Sequence, residues 1–236
     1  MSRLNWQAVL FDLDGTLIET APEIADAVND TLGGLGLAPV AQSLVDGWIG
    51  HGTGELLVKA LAHCRQISLE AVRDLPELPT IRSTFNGHYQ SRCGTRSQLY
   101  PGVRETLDAL RERGCRLAVV TNKEGHYTEI VLRAHGLLPL FDRVISGDSL
   151  PTKKPDPAGV LQCLQHFGVP REHALFVGDS SIDAATARNA GIPVWLLPYG
   201  YNMGEPVESC RPDRVIAGLT ALLEPGLIRP AESASA

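Results

Sequence analysis

Short apolar runs that stop abruptly at polar residues constrain this chain more than any other feature. Ala8-Val9-Leu10-Phe11 stops at Asp12, Arg116-Leu117-Ala118-Val119-Val120 at Thr121, and Ala174-Leu175-Phe176-Val177-Gly178 at Asp179. Arg143-Val144-Ile145-Ser146 and Ile192-Pro193-Val194-Trp195-Leu196 are similar. Runs this short and this continuously apolar suit strands buried on both faces of a parallel sheet. Helical stripes lie between them, with Val103, Leu107 and Leu110 on one and Val160, Leu161, Leu164 and Phe167 on another. Gly114, Gly136 and Gly168 stand where those helices should stop. Strand–helix alternation predicts an α/β fold with a Rossmann-like parallel sheet and right-handed crossovers.

From about Glu19 to Gln98 the rhythm changes. No strong strand is visible there, but helical stripes are: Ile24, Val28 and Leu32, then Leu56, Leu57, Ala60, Leu61 and Cys64. Glu70–Arg73 and Ile81–Tyr89 are weaker helical candidates. The sequence thus predicts an α/β core from residues 1–18 and 97–224, with a helical insert over 19–96 after the first strand. Thr20-Ala21-Pro22 and Ser91–Ser97 are the expected hinges. Residues 225–236 are small, polar and Pro-containing, the composition of a fraying tail.

Charge excludes some functions. The 236 residues carry a net charge of −6, which argues against a nucleic-acid binder with its usual basic face. Only four of the basic residues are Lys, at 59, 123, 153 and 154. Lys and Arg are not interchangeable where a compact point charge is needed, so these positions are informative. Five Cys at wide spacings, without C-x-x-C, read as reduced thiols of a cytoplasmic protein. No stretch approaches the roughly 20 apolar residues of a membrane span, and the N-terminal run is too short for a signal peptide.

The chemistry gathers where the strands end. In an open parallel sheet, ligands bind beyond the carboxyl ends of the strands. Asp12 and Asp14 lie on one side of an extended chain and repel unless a cation or proton separates them. A hard divalent ion with oxygen ligands answers that need. Asp179 and Asp183, one helical turn apart, form a second acidic pair. Thr121-Asn122 supplies a hydroxyl and an amide, and Lys153-Lys154-Pro155 a rigidly held ammonium. Each signal also has a plainer reading. Asp14-Gly15 suits a hairpin turn, Thr121 suits a helix cap, the Asp179/Asp183 pair suits a cap with a first-turn carboxylate, and a Lys pair is usually solvated.

In this order, Asp12-Leu13-Asp14-Gly15-Thr16, Thr121, Lys154 and Gly178-Asp179-x-x-x-Asp183 together resemble the four motifs of the haloacid dehalogenase superfamily of phosphohydrolases. The resemblance implies that superfamily's core with a small all-helical cap. It implies a catalytic set in which Asp12 attacks phosphorus, Asp14 serves as acid and then base, and Thr121 and Lys154 contact the phosphoryl group. Thr16 and Asn122 join Thr121 and Lys154 as substrate-binding residues. Mg²⁺ would be held by the Asp12 side chain, the Asp14 backbone carbonyl and Asp179, with Asp183 and Ser180 behind them. An acid at position 14 favours phosphate esters over the superfamily's dehalogenases and phosphonatases.

Residues 11–22, Gly47-Trp48-Ile49-Gly50-His51-Gly52, Thr121-Asn122-Lys123 and residues 199–206 are more specific. They resemble bacterial phosphoglycolate phosphatases, which implies a small anionic phosphate ester as substrate, no nucleic-acid or membrane partner, and a monomer or homodimer. Reading a substrate carboxylate needs a donor in the closed cap. His51 and Gly52 in the loop and Lys59 are the candidates, with Arg65, Arg82 and Arg92 as others. β-Phosphoglucomutase or another sugar-phosphate phosphatase is the alternative within the superfamily. A phospho-receiver module is the alternative outside it.

Overall fold

A computed structural model describes residues 6–224, so the tail expected at 225–236 lies outside the described residues. Strand β1 (Ala8–Phe11) leads to a short β2 (Ile18–Glu19). Helices α1 (Ala21–Gly34), α2 (Gln42–Asp46), α3 (Thr53–Arg65), α4 (Leu69–Arg73) and α5 (Leu78–Arg92) follow before β3 (Gln98–Leu99). Then come α6 (Val103–Glu112), β4 (Arg116–Val120), α7 (Gly125–Ala134), β5 (Arg143–Ile145), α8 (Ala158–Phe167) and β6 (Ala174–Gly178). The last elements are α9 (Ser181–Ala190), β7 (Val194–Leu196) and β8 (Arg214–Val215). Among the described residues, no helix is long and apolar enough to cross a membrane.

The main sheet is parallel throughout, in the order β5-β4-β1-β6-β7-β8. Phe11 pairs with Val119 on one side and Val177 on the other, so β1, β4 and β6 end level with one another. The chain crosses one way from β1 to β4 and the other way to β6, which opens a crevice above β1. The period of two sends Val9, Phe11, Leu117, Val119, Leu175 and Val177 to one face. Ala8, Leu10, Ala118, Val120 and Phe176 go to the other, against α8 and α9.

The helical insert shares the first of these cores. Ile24, Val28, Leu57, Phe85 and Tyr89 belong to the same apolar cluster as Phe11 and Val119. Its two connections are joined by an antiparallel ribbon, with Ile18 opposite Leu99 and Glu19 opposite Gln98. The sequence offered no strand here because two residues are too few to show alternation. The expected hinges fall partly within helices. Pro22 lies in the first turn of α1, where its fixed φ suits a helix start, and α5 continues through Arg92.

Glu23 explains how the second connection is held. Its side chain is fully buried, and its Oε2 accepts from the backbone N–H groups of Gly94 at 2.9 Å, Arg96 at 3.3 Å and Ser97 at 3.0 Å. A buried N–H stripped of its acceptor carries its desolvation cost. Glu23→Ala is therefore expected to destabilise the fold by about 3 kcal/mol, lowering Tm by about 10 °C. Thermal unfolding followed by circular dichroism checks this, and an unchanged Tm contradicts the assigned role.

Candidate active site

Three acids and a Lys form the deepest part of the site. Asp12 leaves the end of β1, and its carboxylate lies 2.8 Å from Lys154 Nζ. Lys154 lies in the loop after β5, beside Pro155, with its side chain 2% exposed. It also donates to Asp183 Oδ1 at 2.6 Å. The other oxygen of Asp183 accepts from the backbone N–H groups of Asp179 and Ser180, both at 3.1 Å, and from Ser180 Oγ at 2.7 Å. Ser180 and Asp183 also complete a capping box at the start of α9. The helix-cap reading of Asp183 holds, and the same side chain also meets Lys154. One carboxylate starts the helix and fixes Lys154.

Asp179 is built in as tightly. Thr16 Oγ1 donates to Oδ1 at 2.5 Å and the Tyr201 backbone N–H to Oδ2 at 2.6 Å. The Tyr201 hydroxyl accepts from Ala21 N at 3.1 Å, and Tyr199 donates to Thr16 O at 3.1 Å. Two glycines leave room for Asp179. A Cβ on Gly15, whose φ is +84°, or on Gly200 would fall onto its carboxylate.

Burial pushes the Asp12 carboxyl up to about 7 despite Lys154, with Asp183 and Asp14 adding to the rise. Burial also pushes Asp179 up, helped by Asp183 and Asp12. The surplus negative charge is what a cation would relieve. Carboxylate oxygens of Asp12, Asp179 and Asp183 lie within 4.8 Å of one another, and all are hard donors. Asp183 is fully engaged, so Asp12 and Asp179 are the acids with lone pairs to spare. The donor set fits Mg²⁺.

Asp14 faces elsewhere. Its Oδ1 accepts from Thr20 Oγ1 at 2.7 Å, and its two oxygens lie 2.9 and 3.2 Å from Lys123 Nζ. Lys123 is buried and sits over the Tyr89 ring of α5, 5.0 Å from its centre. Burial opposes its charge, but Asp14, Cys93 and Glu23 together outweigh that and raise its pKa.

The residues after β4 also grip the insert. Asn122 Nδ2 donates to Gly50 O at 2.9 Å and to Lys154 O at 3.0 Å. Glu124 Oε1 accepts from Thr53 N at 3.2 Å and Thr53 Oγ1 at 2.8 Å, holding the start of α3. Between insert and sheet is a small cavity of about 30 Å³, with Asp12, Asp14, Thr121, Lys123, Gly52 and Thr53 on its wall.

The structure places the expected substrate contacts in different surroundings. Thr16 spends its hydroxyl on Asp179 and is not on the cavity wall. Asn122 is on the wall, but both its N–H groups are committed to backbone carbonyls. Gly52 and Ser180 line the cavity, whereas His51 and Lys59 do not. The His51 carbonyl is taken by Lys153 Nζ at 2.6 Å, and burial, then Lys59 and Lys153, lower its pKa. Arg65 and Arg92 pair with Glu77 and Asp30 on the insert's surface. Arg82 lies against Gly54 beside a separate cavity. Sequence reasoning gave no role to Lys123, Thr20, Glu124 or Tyr201. The scarcity of Lys flagged Lys123, and Thr20 and Tyr201 fell within the segments 11–22 and 199–206 without a role of their own, while nothing marked Glu124.

The match to haloacid dehalogenase-like hydrolases covers residues 9–197. A Nitrosospira multiformis protein named phosphoglycolate phosphatase is 41% identical over 90% of this chain and 92% of its own length. One from Vibrio parahaemolyticus with the same name is 36% identical over 95% and 97%. A crystal structure of a predicted phosphoglycolate phosphatase from Haemophilus somnus superposes with a TM-score of 0.85 at 34% identity, covering 93% of this chain and 97% of that one.

The Asn122 bridge yields a direct test. Asn122→Ala removes a bond of about 1 kcal/mol between strand end and loop. Amide exchange at residues 50–56 is expected to accelerate about fivefold, read by mass spectrometry. Unchanged exchange there contradicts the latch.

Proposed function

Because the chain belongs to the haloacid dehalogenase-like hydrolases, we propose that it hydrolyses a small phosphate monoester, 2-phosphoglycolate, to glycolate and phosphate through an aspartyl-phosphate on Asp12. The observation that carries the chemistry is the division of two neighbouring acids between two buried lysines. Asp12 pairs with Lys154, and Asp14 with Lys123. Two carboxylates in one cavity, held by different partners, can take different roles. The substrate assignment draws its support from the relatives' names and from residues 47–52 and 199–206.

Asp12 attacks phosphorus as the ester's P–O bond breaks, and Asp14 gives its proton to the leaving alkoxide. Asp14 then takes a proton from the water that attacks the aspartyl-phosphate, which releases phosphate and restores Asp12. Thr121, on the cavity wall, donates its hydroxyl to a phosphoryl oxygen. Lys154 offsets charge on Asp12 and the phosphoryl group, and Asp183 fixes Lys154. Asp12, Asp179 and the Asp14 carbonyl would hold Mg²⁺, which would supply the positive charge that lets an anionic nucleophile meet an anionic ester. Positioning and charge neutralisation carry most of phosphoryl transfer, which can need an acceleration approaching ~10²¹. Residues 19–96 act as a cap that must part from the core to admit substrate. A cytoplasmic location fits the free thiols.

Phosphate release from 2-phosphoglycolate is expected to be repetitive, Mg²⁺-dependent and lost on chelation. Asp12→Asn is expected to lower kcat about 10³-fold or more without lowering Tm, since it removes one of several crowded charges. Retained turnover in that variant would falsify the nucleophile assignment. Glucose 6-phosphate formed from β-glucose 1-phosphate would instead indicate a mutase. A stable phosphoprotein without turnover would indicate a receiver.

A further inference from the structure

Among the described residues, Lys123 is the one cationic side chain on the wall of the cavity that holds Asp12 and Asp14. Lys154 is spent below that cavity on Asp12 and Asp183. His51, Lys59, Lys153 and the insert's arginines are absent from the wall. Lys123 has three N–H donors, and Asp14 is the single acceptor it meets. Its side chain is 1% exposed, so it is a buried ammonium whose partner is also on the cavity wall.

We propose that Lys123 is the specificity residue that binds the carboxylate of the substrate. This rests on the phosphoglycolate reading above. The two buried ammoniums then divide one substrate, Lys154 serving the phosphoryl end and Lys123 the carboxylate end. The Tyr89 ring of the insert covers Lys123. A carboxylate there is enclosed only while the insert is closed, where its attraction to an ammonium is least screened by water. The arrangement discriminates as a site built around a polar partner does. An ester lacking the carboxylate gains nothing from Lys123, which keeps Asp14 instead.

The test compares kcat/KM on 2-phosphoglycolate and on ethyl phosphate, an ester of similar length without the carboxylate. In wild type, a strong preference for phosphoglycolate is expected. In Lys123→Met that preference should fall about 100-fold or more: loss of Asp14's cation slows both esters alike, and phosphoglycolate alone also loses its carboxylate contact. Equal losses on both esters would make Lys123 only a holder of Asp14 and overturn the proposal. A preference that survives in the variant overturns it too, and leaves the phosphoglycolate reading intact. A wild type without any preference sinks that reading, and this inference with it. Lys123→Met leaves Asp14 without its cation. If it does not fold, Lys123→Met/Asp14→Asn removes both charges, and binding is read by calorimetry with phosphonoacetate and ethylphosphonate. Loss of the phosphonoacetate preference is expected, and its retention refutes the assignment.

Discussion

Four carboxylates converge on the carboxyl end of this sheet, and their mutual repulsion is the constraint the rest of the site answers. Two ammoniums keep them apart. Lys154 bridges Asp12 and Asp183 at 2.8 and 2.6 Å, and Lys123 takes Asp14 at 2.9 Å. Such pairs add little net stability, but leaving a buried charge with no partner costs about 3–5 kcal/mol, a cost Lys154 escapes on losing Asp12 because it keeps Asp183. The backbone shares the load. Two N–H groups at the start of α9 serve Asp183, and one from Tyr201 serves Asp179. A sheet whose central strands end level with one another makes this possible, because it delivers all these groups to one depth.

What could be read from the sequence follows from distance along the chain. Buried strands announce themselves because every position in Ala174–Gly178 is apolar or small. Asp12, Asp14, Asp179 and Asp183 stand out because each follows such a run. The β2–β3 ribbon has two residues per strand and leaves no period to detect. Thr16 shows the limit more sharply. A hydroxyl beside an acidic motif can face a ligand or a neighbouring carboxylate, and Asp179, which it serves, is 163 residues away. Lys123 and Tyr89 likewise meet only because α5 folds over the end of β4.

The helical insert is distinct in sequence rhythm but not in packing. Its apolar side chains join the cluster on one face of the sheet, so closing it completes a core as well as covering a site. The ribbon and Glu23 confine its attachment to two short connections. Motion of such a body turns on those connections, while its polar grip on the core lies at the far side, in the loop around Gly50 and the start of α3.

That grip comes from three consecutive residues. Asn122 holds Gly50, Lys123 lies under Tyr89, and Glu124 holds Thr53. The same tripeptide follows Thr121 at the end of β4. Cap and core are therefore not interchangeable parts. A chimera that borrows residues 19–96 from a relative would bring a loop and a helix start cut for another strand end. To close properly it would need the matching tripeptide after β4 as well, so the smallest transplantable unit of substrate choice is discontinuous in the chain.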